Sequence, residues 1–449
     1  MRLSKTTLYL CSLGLLAAFH GAGGQNNAPM PLSLTQAIDL ALKQNREVKL
    51  AQLAVVDSEH KKEIARSAYY PLIRNESKLN HITDLAGVEI PAGAFGNHPD
   101  TGLIPGENLF LDQGANTSYT SGTGLEQPLT QMFKIRESNR AAAADIKSAR
   151  AQVNQTQNQI ALKVRQLYYS ILIAQLKQQA AQEEVAASQV KLEESLSDVE
   201  RGQALEEVAL QSRASSLDAQ QSALVQRLQI HDLTISLDDL LGLPLNTNLV
   251  LQADNFAPAS VPSREECIRI AQDRSPEIQA AKQNVEKAKA GLAAAKDEYI
   301  PDITGLARYS YQSGIPFLVH NFGTFGFSFT YDLFDGGKRI AQIKDSRTLL
   351  SEAEVNLARI EDEVSVQVET AYDKVEQLQD LVGVADQVVK AREEASRVTD
   401  RRFEQTSALA SARAEAHAKT ISAQASFLEA NLGLLLAQGD LKRSMGELP

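Results

Sequence analysis

An alternation of aromatic and small polar residues in the second half of the chain predicts a strand with two different faces. Every second position of this stretch carries a large apolar side chain: Phe325, Phe327, Phe329, Tyr331 and Leu333. Side chains alternate across a strand, so these residues share one face and the small or polar residues between them share the other. After Gly336 and Gly337 the apolar positions recur every three or four residues, which predicts a long helix joined directly to the strand.

Two kinds of strand have one aromatic face and one small, polar face. In a soluble sandwich the aromatic face packs into a core, and alternation of this kind is the ordinary strand signal. In a membrane barrel the aromatic face contacts lipid and the polar face lines a wet lumen. The alternating stretch alone leaves both interpretations open, so the rest of the chain has to decide between them.

Two stretches without proline predict long, uninterrupted helices. No proline lies between Pro128 and Pro244, and none lies between Pro316 and Pro449. Proline breaks a helix because it lacks a backbone donor and clashes with the preceding turn. A helix over residues 134–200 extends roughly 100 Å at 1.5 Å per residue. A helical hairpin of this length belongs to a coiled coil or a larger tube rather than to a compact globule.

The chain consists of two copies of one unit. Residues 33–73 align without a gap on residues 263–303, and residues 129–242 align on residues 333–446. The alignment offset falls from 230 to 204, so the first copy carries 26 additional residues. These fall in or near residues 83–118, where glycine, proline, asparagine and aspartate predict a long irregular loop.

The sequence of each copy predicts the same order of helices and strands. A helix opens at a capping box, Ser33–Gln36 in the first copy and Ser263–Glu266 in the second, and continues to a Tyr-x-Pro sequence. Two strands separated by a loop follow, and a long helical hairpin completes the copy. The predicted strands span about residues 72–82, 116–127, 303–311 and 322–333.

The first 24 residues have the features of a secretory signal: a short basic start, an apolar run and small residues for cleavage. We predict a signal peptide over 1–24, a first repeat over 25–245, a linker over 246–262 and a second repeat over 263–449. Removal of the signal leaves Cys267 as the single cysteine, so an internal disulfide is not expected. The sequence has no stretch of 18 or more apolar residues, so a transmembrane helix is not predicted.

Composition and spacing argue against nucleic-acid binding and against catalysis. The formal net charge is -11 and no basic block is present, so a nucleic-acid partner is not expected. The histidines lack the spacing of metal ligands, and no glycine-rich stretch has the spacing of a phosphate-binding loop. We therefore predict no enzyme activity, no cofactor and no metal site.

Four strands per chain are too few for a closed membrane barrel. Every strand edge must be paired in lipid, and about eight strands are the usual minimum for closure. Three chains supply twelve strands, enough to surround a lumen. The helices follow the same symmetry, with two long hairpins per chain that pack side by side into a hollow cylinder.

Four motifs, together with the duplication, have the pattern of a known family. The motifs are SLTQAIDLAL at 33–42, YYP at 69–71, LGLP at 241–244 and YDLFDGGK at 331–338. In these motifs, and along nearly its whole mature length, the chain resembles the TolC family of outer-membrane efflux proteins. The first copy departs from the family pattern, because Thr130-Gln-Met-Phe133 replaces Phe-Asp-Gly-Gly at its strand-to-helix junction.

The resemblance implies a mainly α protein with a small β part that forms a homotrimer. Long coiled-coil hairpins would build a periplasmic α-helical barrel, and four strands per chain would contribute to a shared 12-stranded β-barrel in the outer membrane of a Gram-negative-type bacterium. It also implies a passive export duct for efflux or type I secretion, which docks a periplasmic adaptor and an inner-membrane transporter. The alternative is a periplasmic coiled-coil spacer or adaptor without a pore.

Under this resemblance the candidate functional residues lie at the strand and at the hairpin tips. The lipid-facing candidates are Phe325, Phe327, Phe329 and Tyr331, and the strand–helix turn is Gly336-Gly337, where glycine lets the backbone turn sharply. The tips are the expected adaptor contacts: Arg201, Gly202, Gln203, Ala204, Leu205, Thr406, Ser407, Ala408 and Leu409.

The tips also supply candidate gate residues. These are Glu206, Glu207, Arg402, Arg413 and Glu415. Threefold symmetry would turn one glutamate into a ring of three, which can hold cations and constrict a pore. Family members often place acidic residues just after the second turn, and in this chain Ala412 occupies one such position and Glu415 the other.

Overall fold

A computed structural model describes the chain over residues 30–111, 114–245, 247–252, 260–315, 319–405 and 407–448. The predicted signal over residues 1–24, residues 253–259 of the predicted linker and Thr406 lie outside the described residues. The described chain is mainly helical with a small amount of strand, as the sequence predicts. Within these ranges no helix has the length and apolar character that crossing a membrane requires.

The same order of long elements occurs twice, which confirms the internal duplication. The first repeat contains β1 (Met30–Leu32), α1 (Leu34–Gln44), α2 (Arg46–Ser67), β2 (Leu72–His81), β3 (Val88–Ile90), β4 (Asn97–His98), β5 (Gly102–Leu103), β6 (Leu109–Leu111), β7 (Thr117–Pro128), α3 (Met132–Glu200) and α4 (Glu206–Leu241). The following part contains β8 (Leu249–Leu251), α5 (Arg264–Arg274), α6 (Pro276–Asp297), β9 (Asp302–Ser313), β10 (Asn321–Thr330), α7 (Lys338–Glu404) and α8 (Ala410–Ser444). The predicted linker thus includes a strand, β8, which pairs in parallel with β1.

The opening helix of each repeat is a pair of helices, and the prediction of one continuous helix is wrong. Asn45 ends α1 and caps α2, because its side-chain oxygen accepts hydrogen bonds from the backbone of Glu47 (2.8 Å) and Val48 (3.4 Å). Ser275 has the same position between α5 and α6, where Pro276 begins the new helix. A proline suits the first turn of a helix, where its missing N–H would have no partner.

The two predicted capping boxes differ. The box of α1 is complete, since the Ser33 hydroxyl accepts from the Gln36 N–H and the Gln36 side chain accepts from the Ser33 N–H. At α5 the Ser263 hydroxyl accepts from the Glu266 N–H, but the Glu266 carboxylate pairs with Arg269 at 2.5 and 3.0 Å. A charged partner one turn away therefore removes the second half of this box.

The four long strands form one antiparallel sheet in the order β10-β9-β7-β2. Three predicted strands agree with the observed ends to within two residues: 72–82, 116–127 and 303–311. The predicted strand over 322–333 is too long, because β10 ends at Thr330. Tyr331 therefore lies beyond the strand, in the turn that leads into α7.

The additional residues of the first repeat are more regular than predicted. The stretch between β2 and β7 contains two small antiparallel pairs, β3 with β6 and β4 with β5. Asn108 fastens this loop, since its amide donates to Glu89 (2.8 Å) and its carbonyl oxygen accepts from the Ala92 N–H (2.9 Å). A side chain that bonds across a loop in this way is not visible in its composition.

The long helices stand side by side in the same order as the strands. Next to the sheet the order of neighbours is α2, α3, α6 and α7, which continues β2, β7, β9 and β10. Toward the hairpin turns the order is α4, α3, α8 and α7. One chain is therefore a single wall with two open edges. One edge is formed by β2, α2 and α4, and the other by β10 and α7.

The core lies where the helices meet the β1–β8 pair. Tyr168 of α3 is fully buried there, and its hydroxyl lies 2.9 Å from the Leu32 carbonyl oxygen and 2.7 Å from that of Gln252. A second cluster forms around Val368 between α5, α7 and α8. Between them these clusters fix the middle of the wall, while the sheet and the hairpin turns extend beyond it at opposite ends.

Candidate functional site

The aromatic face of the sheet is open to its surroundings. Phe325, Phe327 and Phe329 of β10 are 92%, 79% and 67% exposed. Residues that pair directly across antiparallel strands point to the same face. On β9 the paired residues are Ala307, Gly305 and Ile303. No part of the described chain covers this face, which a soluble domain would have to bury.

In the first repeat the same face carries polar side chains that bond to one another. The Asn75 amide donates to the Thr123 hydroxyl at 2.9 Å, and the Ser77 and Ser121 hydroxyls lie 2.9 Å apart. Polar groups that satisfy each other cost less in apolar surroundings than unpaired ones. This network is the reason why apolar and polar positions alternate less clearly in β2 and β7 than in β10.

The opposite face of the sheet is small and hydrophilic, with a few long charged side chains. Arg74, Gly124, Arg308 and Thr324 pair across the four strands in one row. The Arg308 guanidinium lies over Gly122, where an added Cβ would come within 2.5 Å of its Nε. A face of this kind has the composition expected for the wall of a wet lumen.

The turn from β10 into α7 has the sharp backbone that its glycines predict. Gly336 and Gly337 have φ of 66° and 87°, a region that side chains with Cβ rarely adopt. The Asp335 carboxylate accepts from the Gly337 N–H at 2.9 Å and from Arg339 Nε at 2.7 Å. The hydrogen bonds from Arg339 are the main reason why the pKa of Asp335 falls from 3.8 to about 2.

Arg339 organises this turn, and sequence reasoning missed it. Its guanidinium lies 4.9 Å from the Tyr331 ring centre and 5.3 Å from that of Tyr299, within cation–π range of both. Tyr331 therefore packs in the turn, so its predicted place in the strand is wrong, while its contact with lipid stays a prediction. The four-residue spacing of Asp335 and Arg339 at a helix start was the available signal.

The corresponding junction in the first repeat is built differently, in line with its departure from the Phe-Asp-Gly-Gly pattern. The Thr130 hydroxyl donates to the Pro301 carbonyl oxygen (2.6 Å) and accepts from the Ile303 N–H (2.8 Å). Lys134 then pairs with Asp302 at 3.3 Å. This junction is therefore held by contacts to the second repeat rather than by its own turn.

The α3–α4 tip is a tight turn with exposed apolar and acidic side chains. Gly202 has φ of 70°, and the N–H groups of Gln203 and Ala204 both donate to the Asp198 carbonyl oxygen. The Asp198 side chain also pairs with Arg201 at 3.0 Å. Beyond the turn the side chains point outward: Leu205, Glu206 and Glu207.

The α7–α8 tip is closed by a different contact. The Ser407 hydroxyl donates to the Arg402 carbonyl oxygen at 2.9 Å. Ala408 is half-buried, and Leu409 is exposed at the position that corresponds to Leu205 in the other tip. The predicted contact residue Thr406 lies outside the described residues.

Comparison with protein families decides the class of the protein. The family model described as "Outer membrane efflux protein" matches residues 37–243 and 267–447, one segment for each repeat. The chain belongs to the outer membrane efflux protein family. It is thus an efflux channel of the TolC type from the Gram-negative outer membrane, and its family is one of channels rather than of enzymes.

Solved structures of efflux channels share the fold of this chain at low sequence identity. The Campylobacter jejuni CmeC outer membrane channel has a TM-score of 0.75 and 16% identity, and the match covers 92% of this chain and 85% of that one. Vibrio cholerae VceC has a TM-score of 0.71 and 15% identity, with coverage of 92% and 96%. The open state of Neisseria gonorrhoeae MtrE has a TM-score of 0.67 and 18% identity, with coverage of 92% and 89%. No curated protein sequence matches the efflux channel significantly.

The candidate gate residues of the efflux channel are divided between the two hairpins. Glu206 and Glu207 lie in the first turn of α4, whereas Glu415 lies in α8 and bonds Lys419 at 2.5 Å. This hydrogen bond lowers the pKa of Glu415, so the carboxylate is charged but has a cationic partner. Arg413 pairs with Asp400 at 2.8 Å. Sequence reasoning missed both partners, and the gate role of these residues stays a prediction.

The two hairpins of the efflux channel are joined by an ion pair and by a hydrogen bond to a carboxylate, neither of which a local pattern predicts. Lys177 of α3 pairs with Glu429 of α8 at 2.8 Å, and the Glu194 carboxylate accepts from the Ser411 N–H at 3.0 Å. These partners are 252 and 217 residues apart in the chain. Within the described ranges no group of three His, Cys, Asp or Glu side chains is placed to hold a metal ion.

Proposed function

We propose that three copies of this efflux channel close into one continuous export duct. A shared 12-stranded β-barrel crosses the outer membrane, and a helical tube continues it into the periplasm. The hairpin tips dock a periplasmic adaptor and an inner-membrane transporter, which supplies the energy. The duct itself is passive, because export needs only an enclosed path once a partner delivers the cargo.

The pair of open edges is the observation that carries this proposal. The sheet ends at β2 and β10, and the helical wall ends at α2 and α4 on one side and at α7 on the other. An unpaired strand edge is unstable in lipid, since its N–H and C=O groups find no water. Four strands cannot close on themselves, but three copies supply twelve, which is within the range of membrane barrels.

The two faces of the sheet support the same arrangement. Closure with the aromatic face outward places Phe325, Phe327 and Phe329 in lipid and the row of Arg74 and Arg308 in the lumen. Closure in the opposite sense would put guanidinium groups into hydrocarbon at a cost of about 2–4 kcal/mol each near the midplane. A periplasmic spacer without a pore would leave the aromatic row in water, so the sheet does not favour that alternative.

A measurement of assembly and conductance tests the duct. We expect the mature protein to fractionate with the outer membrane, to run on unheated gels as a heat-sensitive trimer and to conduct ions in planar bilayers. Light scattering of the detergent-solubilised protein gives the number of chains directly. A monodisperse, water-soluble monomer without detergent would contradict the proposal.

Copurification tests the docking role of the tips. Aspartate in place of both Leu205 and Leu409 puts charge on the exposed apolar position of each tip, so we expect less adaptor to copurify from native membranes. The matched control is Leu245→Asp, because Leu245 is similarly exposed but follows α4 at the end far from the tips. Equal loss of the adaptor in the tip variant and the control would argue against docking at the tips.

A further inference from the structure

Two large apolar side chains stand in the open in the turn from β10 into α7. Leu333 and Phe334 are each 90% exposed, so no described part of the chain covers them. They lie between Thr330, where β10 ends, and the sharp backbone at Gly336. Single exposed apolar residues are common in proteins, so the position of this pair has to show what it contacts.

The height of the sheet places this turn at one boundary of the membrane. At the opposite end of β10, Asn321 pairs with Tyr311, whose ring lies 6.0 Å from that of Tyr119 on the aromatic face. Aromatic rings form girdles where a membrane barrel meets the interface. The 10 residues of β10 make nine steps of about 3.4 Å, and a strand tilt of about 35–45° reduces their height to roughly 22–25 Å. The apolar band of a membrane barrel is about 25 Å tall, so its other boundary falls where β10 ends.

Two charged groups at this boundary have no ionic partner among the described residues. They are the Asp332 carboxylate and the Lys338 ammonium, which line one shallow cavity of about 90 Å³. The neighbouring cations are paired, Arg339 with Asp335 at 2.7 Å and Lys134 with two carboxylates at 3.3 and 3.7 Å. The cavity has room for a small polar group but not for an acyl chain.

A free carboxylate beside a free ammonium complements a headgroup that carries both charges. Asp332 can accept from a primary ammonium, and Lys338 can donate to a phosphate, each in a charge-assisted hydrogen bond. A quaternary ammonium has no N–H to donate to the carboxylate. The seven charged side chains that line the cavity are three cations and four carboxylates, so a headgroup with only negative charge is not favoured.

We propose that this turn is a phospholipid site in the periplasmic leaflet. Leu333 and Phe334 lie among the acyl chains, and Asp332 and Lys338 hold a headgroup with a phosphate and a primary ammonium. The proposal rests on the duct proposed above, which puts the aromatic face in lipid. The pair of apolar side chains continues that face below the end of β10, so one lipid can contact the strand and the turn together.

Each chain carries this turn once. At the offset of 204 residues Phe334 corresponds to Thr130 of the first repeat. The Thr130 hydroxyl is bonded to Pro301 and Ile303 at the start of β9, so this junction is occupied by protein contacts. The lipid site therefore belongs to the second repeat alone.

Fluorescence quenching by labelled lipids tests the place of the apolar pair. Single cysteines F334C, F325C and L409C are introduced into the mature protein with Cys267→Ala and labelled with bimane. The vesicles contain phosphatidylethanolamine and phosphatidylglycerol, with a nitroxide on the lipid at a shallow or a deep position. We expect the label at 334 to be quenched more by the shallow nitroxide and the label at 325 more by the deep one. The label at 409, at the far hairpin tip, should be quenched by neither.

A change of headgroup tests the charged pair. We expect the urea midpoint of the trimer to be higher with phosphatidylethanolamine than with phosphatidylcholine, each mixed with phosphatidylglycerol. The double variant Asp332→Asn with Lys338→Gln should lose this difference. The matched control is Asp345→Asn with Lys344→Gln, because these two exposed charges lie further along α7 and do not line the cavity.

The outcomes separate the lipid site from the duct. Deep quenching at 325 without quenching at 334 would show that protein covers the turn, and it would overturn the lipid site alone. Equal dependence on the headgroup in the wild type and the Asp332/Lys338 variant would overturn the headgroup assignment. Absence of quenching at both 325 and 334 would overturn the outward aromatic face and with it the proposed duct.

Discussion

Replacing Phe325 with arginine tests whether the aromatic face contacts lipid. On the aromatic face, β10 and β9 pair in five rows of residues. Phe325 lies in the middle row, between the row of Tyr309 and the row of Gly305. Arginine at the midplane of a membrane barrel costs about 2–4 kcal/mol. The lost ring is 92% exposed and so free to contact lipid, and its removal costs about a further 1.5–3 kcal/mol. The sum exceeds ~3 kcal/mol, or more than two factors of ten in the folding equilibrium.

Gly326→Arg is the matched control. Gly326 adjoins Phe325 in sequence but points to the opposite, polar face, and an added Cβ there meets no atom within 4 Å. We expect this arginine to be tolerated, since it enters a wet lumen. Both variants are refolded into lipid vesicles, and the heat-sensitive trimer is measured on unheated gels along a urea series. Equal urea midpoints for the two variants would refute the assignment of faces.

A third variant separates a lipid-facing ring from a core ring. Phe325→Leu keeps an apolar side chain but changes its shape. Fluid lipid adapts to the new shape, so we expect almost no change in the urea midpoint. A packed core does not adapt fully, and shape changes in cores usually cost up to about 1.5 kcal/mol, or more where a cavity forms. A clear loss of stability in Phe325→Leu would therefore favour a buried core over lipid.

Two further predictions concern parts of the molecule outside the membrane. Tyr168→Phe removes the hydroxyl that lies between the Leu32 and Gln252 carbonyl groups. We expect the free energy of unfolding, measured in urea titrations, to fall by about 1–3 kcal/mol. The control is Tyr372→Phe, at the corresponding position of the second repeat. Asp335 has a pKa of about 2 when folded and 3.8 otherwise, so it stabilises the fold above pH 3.8 and loses this effect as the pH falls toward about 2. The difference in melting temperature between the wild type and Asp335→Asn should shrink over that range, and a constant difference would contradict the assigned role.

Features set by local chemistry could be predicted from the sequence. The absence of proline and the three- and four-residue spacing located both hairpins, and Gly336 and Gly337 located the sharp turn into α7 because few other residues adopt its backbone. The aromatic alternation located β10 and its exposed face. Each of these signals depends on neighbours in the chain, which is why the structure confirms them.

Features that depend on competition between neighbouring residues, or on contacts between residues distant in the chain, could not be predicted from the sequence. Asn45 is an ordinary polar residue until its side chain caps α2, so the sequence did not indicate a break in the opening helix. Tyr331 continues the alternation, but it lies beyond the end of β10, where its ring contacts the Arg339 guanidinium. The same holds for Arg413 of the candidate gate, because its partner Asp400 lies on the other helix of the hairpin. By contrast, Lys419 lies four residues after Glu415 in the same helix, so the spacing could have indicated that pair.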